Sequence, residues 1–330
     1  MPPRFVENGS IAIRGLDPAS EAPYRSRIIF ATYAARESEL NNACILAQSL
    51  RDWGGTHADS SVRVYMPGAE VEASTDALRA LDALGVTVKT VPEVEEKAAW
   101  YHYAQKVEAA ARAEADLTTS GELLAWVDDD TVFLQDPEEF ELPEGVQLGY
   151  RPAMHRNIAL RYDDPIDAFW GRVFTSLDVG HADLFPMTTP ADGETIRPWI
   201  NAGCLVVRPE RGLLRAWAAF WRVLYRDPEL KRLCETDLKQ RIFLHQAALT
   251  CAVLKHLAPD ERRELSPSIN YPVFFKEMFG GKHDFDDLTG VVTLRHESCF
   301  RDPAPDWEQR LKGPADRIDW IRNHIANRSG

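Results

Sequence analysis

The chain is short of positive charge. Its 38 Lys and Arg face 51 Asp and Glu, a net charge of −13 over 330 residues. That balance argues against sequence-independent nucleic-acid binding, which needs a basic surface to neutralise phosphates. A nucleotide ligand stays possible, because a metal ion and a few basic side chains neutralise a diphosphate locally. Cysteine is scarce as well: Cys44, Cys204, Cys234, Cys251 and Cys299 make five. The number is odd, no pair is spaced C-x-x-C, and most lie in apolar contexts. They read as reduced and buried, which suits a cytoplasmic location. No apolar run reaches the roughly 18 residues of a membrane span. Met1-Pro2-Pro3-Arg4 is followed by no apolar stretch, so no signal peptide is expected. Neither G-x-x-x-x-G-K-[ST] nor G-x-G-x-x-G occurs, which leaves P-loop and dinucleotide readings with little support. G-x-S-x-G and H-E-x-x-H are missing too. There is no internal repeat, low-complexity tract or clear linker.

What the chain does have is a 45% hydrophobic fraction, with nine Trp, nine Tyr and fourteen Phe for packing and stacking. It also has three consecutive acids, Asp128-Asp129-Asp130, at the end of the apolar run Leu123-Leu124-Ala125-Trp126-Val127. The run reads as a buried strand with the acids where it emerges from the sheet. Adjacent carboxylates repel unless a cation or a shared proton compensates. Hard divalent ions such as Mg²⁺ and Mn²⁺ take oxygen ligands and keep positions open for substrate phosphates. On an extended backbone Asp128 and Asp130 point the same way and Asp129 points away. A solvated acidic turn is the competing explanation, disfavoured by the apolar residues on both sides.

The first half alternates strand and helix. Strands are expected at 27–32, 61–66, 86–91 and 123–127, with helices over 38–53, around Leu78-Leu81-Leu84 up to a Gly85 cap, and over 95–115. That alternation predicts a doubly wound, mostly parallel sheet, whose ligands sit beyond the carboxyl ends of the strands. Thr32-Tyr33 and Asp128-Asp129-Asp130 share that edge. The second half is less regular. Strands are expected at 146–150, 201–207 and 289–294, and helices along Leu213, Leu214, Trp217, Phe220, Trp221 and Leu224 and over 242–257. A helical turn over 306–312 stops at Gly313-Pro314, and a helix follows over 315–327. The expected organisation is an N-terminal arm over 1–26 with an edge strand at Ile11-Ala12-Ile13, one domain over 27–300 and a helical segment over 301–330. The domain splits into a nucleotide-binding half, 27–135, and a sugar and acceptor half, 136–300.

Four stretches in this order resemble nucleotide-sugar glycosyltransferases of the GT-A fold, most like family 8. They are the strand at 27–32, the D-x-D strand ending in Asp128-Asp129-Asp130, Asn201-Ala202-Gly203 leading into Cys204-Leu205-Val206-Val207, and Val291-Val292-Thr293-Leu294-Arg295-His296. The resemblance covers roughly 27–300. It implies a GT-A-like α/β fold, with a mixed, mostly parallel sheet flanked by helices. It also implies a nucleoside-diphosphate sugar donor, UDP-linked by preference, and bound Mn²⁺ or Mg²⁺. Asp128, Asp130 and His296 would hold the metal, and the imidazole tilts the choice toward Mn²⁺. Thr32, Tyr33, Lys106, Asp129, Asn201, Ala202 and Gly203 would meet the donor. Lys106 is equally a solvated helix lysine by sequence alone, and His296 a surface histidine. His245-Gln246 stands where relatives carry Asp-Gln, and both are candidates for the reacting centre. The tail after His296 lacks the family's Gly and Lys, and Arg295 or Arg301 would serve the diphosphate instead. The acceptor is unassigned; Tyr162, Trp170 and Trp199 are its candidate stacking residues.

Two other classes compete. Asp128-x-Asp130-x-Val132 also fits haloacid-dehalogenase-like phosphatases, with Asp128 as nucleophile and Asp286-Asp287 as the late acids. Against this, three strands precede the motif. A non-catalytic nucleotide-sugar-binding protein is the third possibility, motivated by His245 and the altered tail.

Overall fold

A computed structural model describes residues 27–68, 75–117, 121–275, 287–296, 299–300 and 306–325. The arm expected over 1–26, Asp286 and Arg301 lie outside the described residues. In chain order the first half holds β1 (Arg27–Tyr33), α1 (Glu37–Trp53), β2 (Val62–Pro67), α2 (Thr75–Ala83), β3 (Thr87–Val91), α3 (Glu96–Ala99), α4 (Ala104–Ala115), β4 (Glu122–Val127) and β5 (Thr131–Phe133). The rest holds β6 (Leu148–Pro152), α5 (Ala168–Ser176), β7 (Met187–Thr188), β8 (Thr195–Ile196), β9 (Ile200–Val207), α6 (Leu213–Leu224), α7 (Pro228–Thr236), α8 (Leu238–His256), β10 (Arg262–Glu264), β11 (Tyr271–Pro272), β12 (Thr293–Arg295) and α9 (Ala315–His324).

Among the described residues the main sheet has seven strands in the order β10-β6-β9-β4-β1-β2-β3. The pairs β4–β1, β1–β2, β2–β3 and β6–β10 are parallel, and β9 runs antiparallel to both its neighbours. This is the mixed, mostly parallel sheet flanked by helices that the GT-A resemblance predicts. Central strands are covered on both faces, so β4 and β9 are nearly continuous apolar runs. Along β1 the side chains alternate between faces. Ile28 and Phe30 pack with Leu40, Ala43 and Leu46 of α1, while Ile29 and Ala31 join the cluster containing Val107 of α4, Trp217 of α6 and Leu249 of α8. A smaller sheet, β11-β12-β5, shares a third cluster with Trp320 and Ile321 of α9.

Several elements differ from expectation. The helix expected over 95–115 is broken into α3 and α4. Tyr101 turns inward between them, its ring edge-on to Trp221 at 5.3 Å, and Tyr103 takes a left-handed φ of 61°. A side chain there costs roughly 1–2 kcal/mol relative to the right-handed region. The strand expected over 289–294 shrinks to Thr293–Arg295, because Gly290 (φ 81°) turns the chain just before it. Helix α8 starts earlier than the apolar pattern shows, because the Asp237 carboxylate caps it by accepting from the Lys239 and Gln240 amides.

Helix α6 is capped from a distance. Its N-cap is Gly212, which has no side chain to offer. Glu114, buried at the end of α4, accepts from the Leu214 and Arg215 amides, each at 3.0 Å, and from Arg215 Nε at 3.0 Å. Glu114→Ala orphans two helix-end donors and is expected to lower stability by roughly 1–3 kcal/mol. Urea denaturation reads this as a lower midpoint at constant slope. A midpoint equal to wild type would show that water replaces the cap.

Candidate active site

Strands β1 and β4 are parallel neighbours, with Ala31 level with Trp126. Thr32 and Tyr33 therefore open on the same sheet edge as Asp128. Thr32 is buried and its hydroxyl finds no hydrogen-bond partner among the described residues. Tyr33 is half-buried; burial, then the nearby Glu39, pushes its phenol above the ordinary range. The chain turns from β1 into α1 over Glu39, whose carboxylate accepts from the Ala35 and Arg36 amides at 2.7 and 3.2 Å.

The three aspartates do not continue the strand. β4 ends at Val127, the Asp128 N–H donates to the Gly203 carbonyl at 2.9 Å, and the Thr131 N–H closes a turn onto the Asp128 carbonyl at 3.1 Å. The acids thus sit in a tight turn, and strand alternation is not what sets their directions. The Lys106 ammonium contacts Asp128 Oδ1. Asp128 also lies against the backbone of β9. A Cβ on Gly203 would stand 2.5 Å from Asp128 Oδ2 and 2.9 Å from Asn201 Oδ1. Asn201 Oδ1 accepts from the Gly203 amide at 2.6 Å and from Asn270 Nδ2 at 3.4 Å. The Ala202 side chain goes into the core instead, leaving its backbone alone at the edge. Asn42 of α1 donates to Asp129 Oδ2 at 2.8 Å.

The late segment closes the turn. β12 pairs antiparallel with β5, with Arg295 opposite Thr131. The next residue, His296, donates its backbone N–H to the Asp130 carbonyl at 3.2 Å. Burial holds the Asp129 carboxyl well above the usual carboxylate range, and the Asp130 charge adds to it against the Asn42 bond. Burial also raises Asp130; Arg295, His296 and Lys106 pull it down and Asp128 pushes it up. Among the described residues no group of three or more His, Cys, Asp or Glu side chains is arranged to hold a metal ion.

Lys106 and His296 are 8% and 4% exposed, so neither is the solvated residue that sequence alone allowed. His245 is equally buried. Its Nδ1 lies 2.9 Å from the Ile242 carbonyl and its own carbonyl accepts from Trp217 Nε1 at 2.7 Å. Burial, then the Lys106 charge, pushes its pKa down to about 3. The Tyr103 ring stands 4.7 Å from the His245 ring. Gln246, next on the helix and buried, makes no hydrogen bond to these residues. Two of the three aromatics expected to stack on an acceptor are used up in the core. Trp170 and Trp199 are buried edge-to-face against each other at 5.5 Å, with Trp170 Nε1 bonded to the Ile158 carbonyl at 2.7 Å. Neither has a free face for a ligand, and Tyr162 alone of the three is partly exposed. Sequence reasoning missed Asn42, Tyr103 and Asn270. Asn42 did leave a trace, a polar residue between Leu40 and Ala43 on the buried face of α1.

A carboxyl raised in the folded state binds protons more tightly than its unfolded counterpart. Its contribution to stability is complete below the unfolded pKa of about 3.9 and is lost as pH rises through the folded one. Asp130→Asn is therefore expected to raise the denaturation midpoint of the metal-free protein at pH 8. The gain should shrink toward zero as pH falls to about 4. Urea titrations across that range test it, and a lower midpoint at pH 8 would contradict it.

Residues 33–256 match a family model described as the Rhodobacterales glycosyltransferase domain. No curated protein matches the chain by sequence. Similar solved structures include mouse xyloside xylosyltransferase 1 in its apo form, 14% identical with a TM-score of 0.44, covering 83% of this chain and 98% of that one. Another is the galactosyltransferase LgtC with donor and acceptor sugar analogues, 13% identical with a TM-score of 0.44, covering 90% and 99%. A third is the apo bifunctional glycosyltransferase WbbM, 13% identical with a TM-score of 0.49, covering 94% and 51%. Likenesses this distant say nothing of donor, acceptor or metal. The family match spans well over half of the chain, and with it the protein belongs to the Rhodobacterales glycosyltransferase domain family and is a glycosyltransferase.

Proposed function

We propose that this glycosyltransferase draws its sugar from a UDP-linked donor and holds the donor diphosphate through Mn²⁺, with Mg²⁺ the weaker alternative. The observation that carries the proposal is the backbone bond from His296 to Asp130, which puts an imidazole-bearing residue beside the acidic turn. Two carboxylates and a neutral imidazole are a donor set for a divalent ion, and the nitrogen favours Mn²⁺. The raised Asp129 and Asp130 support it further, because a cation relieves the crowding that burial imposes. Asp128, Asp130 and His296 would be the ligands, with Lys106 yielding its hold on Asp128. Such an ion, when bound, neutralises charge on the leaving diphosphate.

The chain's own residues would do the rest. Tyr33 and the orphaned Thr32 hydroxyl would meet the nucleoside, with Asp129 held toward it by Asn42. The backbone of Ala202 and Gly203, beside Asp128, would line the donor's approach, and Asn201 and Lys106 would bond its sugar and phosphates. His245 is neutral across the working range. A carbonyl only accepts, so Nδ1 carries the proton that meets Ile242, and Nε2 keeps its lone pair. A base with so low a pKa takes a proton poorly near neutrality. Its role would be to accept a hydrogen bond from a sugar hydroxyl, beside Gln246. The phosphatase reading has no support left, since the acidic turn follows the fourth strand of a glycosyltransferase-family chain.

Thermal-shift screening of nucleoside diphosphates and nucleotide sugars should show stabilisation by UDP with Mn²⁺ and little by UDP alone. In calorimetry His296→Ala is expected to weaken Mn²⁺-dependent UDP binding by about tenfold or more, some 1.4 kcal/mol. UDP binding indifferent to Mn²⁺, or to the loss of His296, would sink the metal assignment.

The imidazole of His245 has a separate test. Its folded pKa lies below the unfolded value of about 6.5, so its protonation destabilises the fold as pH falls from there toward about 3. Nitrogen NMR of the histidine side chains should find one imidazole that does not titrate between pH 5 and 9 and whose signal vanishes in His245→Asn. A His245 pKa near 6.5 would overturn both the burial effect and the acceptor role.

A further inference from the structure

We infer that Tyr103 is the platform on which the transferred sugar packs, and that it helps decide which donor sugars the enzyme takes. This rests on the acidic turn being the donor site. Tyr103 is 50% exposed, one of the few large hydrophobic side chains that face solvent among the described residues. Its ring is nevertheless tied to the site. It stands 4.7 Å from the His245 ring and 5.5 Å from Lys106 Nζ, the ammonium that contacts Asp128. Part of the ring is thus backed by site residues and half of the residue lies open.

The Tyr103 ring is not what holds the backbone break in place. The break between α3 and α4 is anchored by Tyr101, which is buried against Trp221. Tyr103 itself sits at φ 61°, a conformation that glycine or asparagine adopts at little cost and a bulky residue does not. Such strain persists where the surroundings enforce it, and it clusters at ligand clamps.

The chemistry fits a sugar. A pyranose presents a face of C–H groups and a rim of hydroxyls. A flat aromatic ring matches the face, while Lys106 donates and His245 Nε2 accepts at the rim. Its immediate neighbours favour the sugar over the nucleoside. Tyr103 lies beside His245, placed above at the sugar hydroxyls, and beside Lys106, placed above at the sugar and phosphates.

The test compares wild type, Tyr103→Phe and Tyr103→Asn by calorimetry with Mn²⁺. The probes are UDP and whichever of UDP-glucose, UDP-galactose and UDP-N-acetylglucosamine binds wild type most tightly. Tyr103→Asn should bind UDP as wild type does, bind the UDP-hexose about 3- to 10-fold more weakly, and melt no lower than wild type because asparagine tolerates the left-handed backbone. Tyr103→Phe should retain hexose binding. The inference is overturned by equal losses for UDP and UDP-hexose, by no loss for the hexose, by a fall in melting temperature in Tyr103→Asn, or by a wild type that gains nothing from the hexose. A wild type that binds no UDP would refute the donor reading itself, and this inference with it.

Discussion

Three carboxylates on consecutive residues cannot be crowded half-buried at a strand end without opposite charge or donors close by, and much of this structure is arranged around that constraint. Each carboxylate draws its partners from a different segment. Lys106 reaches Asp128 from α4, Asn42 reaches Asp129 from α1, and Arg295 and His296 approach Asp130 from β12. The antiparallel β9 lies close against Asp128, because Gly203 has no side chain. Sheet order and helix placement look conventional until they are seen as the means of bringing four remote segments to one turn.

Electrostatics divide the site in two. The turn is acidic and crowded, with carboxyls pushed up by burial. On the other side of Lys106, His245 is pushed the other way and stays uncharged. Lys106 belongs to both environments, easing the carboxylates and suppressing the imidazole's proton. Burial dominates both shifts, and a single lysine on the buried face of a helix adds to the one and works against the other.

The strands and most helices were legible because their signals are local. Apolar runs such as Leu123 to Val127 and the repeat Leu40, Ala43, Ala47 carry their period in the sequence. The acidic triplet was legible for the same reason, and its order relative to Asn201-Ala202-Gly203 and His296 gave the family resemblance. The geometry of the site was not legible. That the aspartates turn rather than extend depends on the Thr131 amide bonding back to Asp128, and no residue type announces it. The break at Tyr103 is set by where Tyr101 finds room against Trp221, a contact between distant segments. Trp170 and Trp199 looked like surface for a ligand, yet they satisfy each other inside the core. Composition gives the supply of aromatic rings and says nothing of which ones are used up in packing.

The bond between His296 and Asp130 also has a consequence in time. The acidic turn is synthesised well before the segment that closes it. Until His296 emerges, the nascent chain holds three aspartates without one of their neighbours, and the turn has every reason to stay hydrated. The enzyme's most crowded corner is thus among the later pieces to become native, and its chemistry is withheld from the growing chain until most of the protein exists.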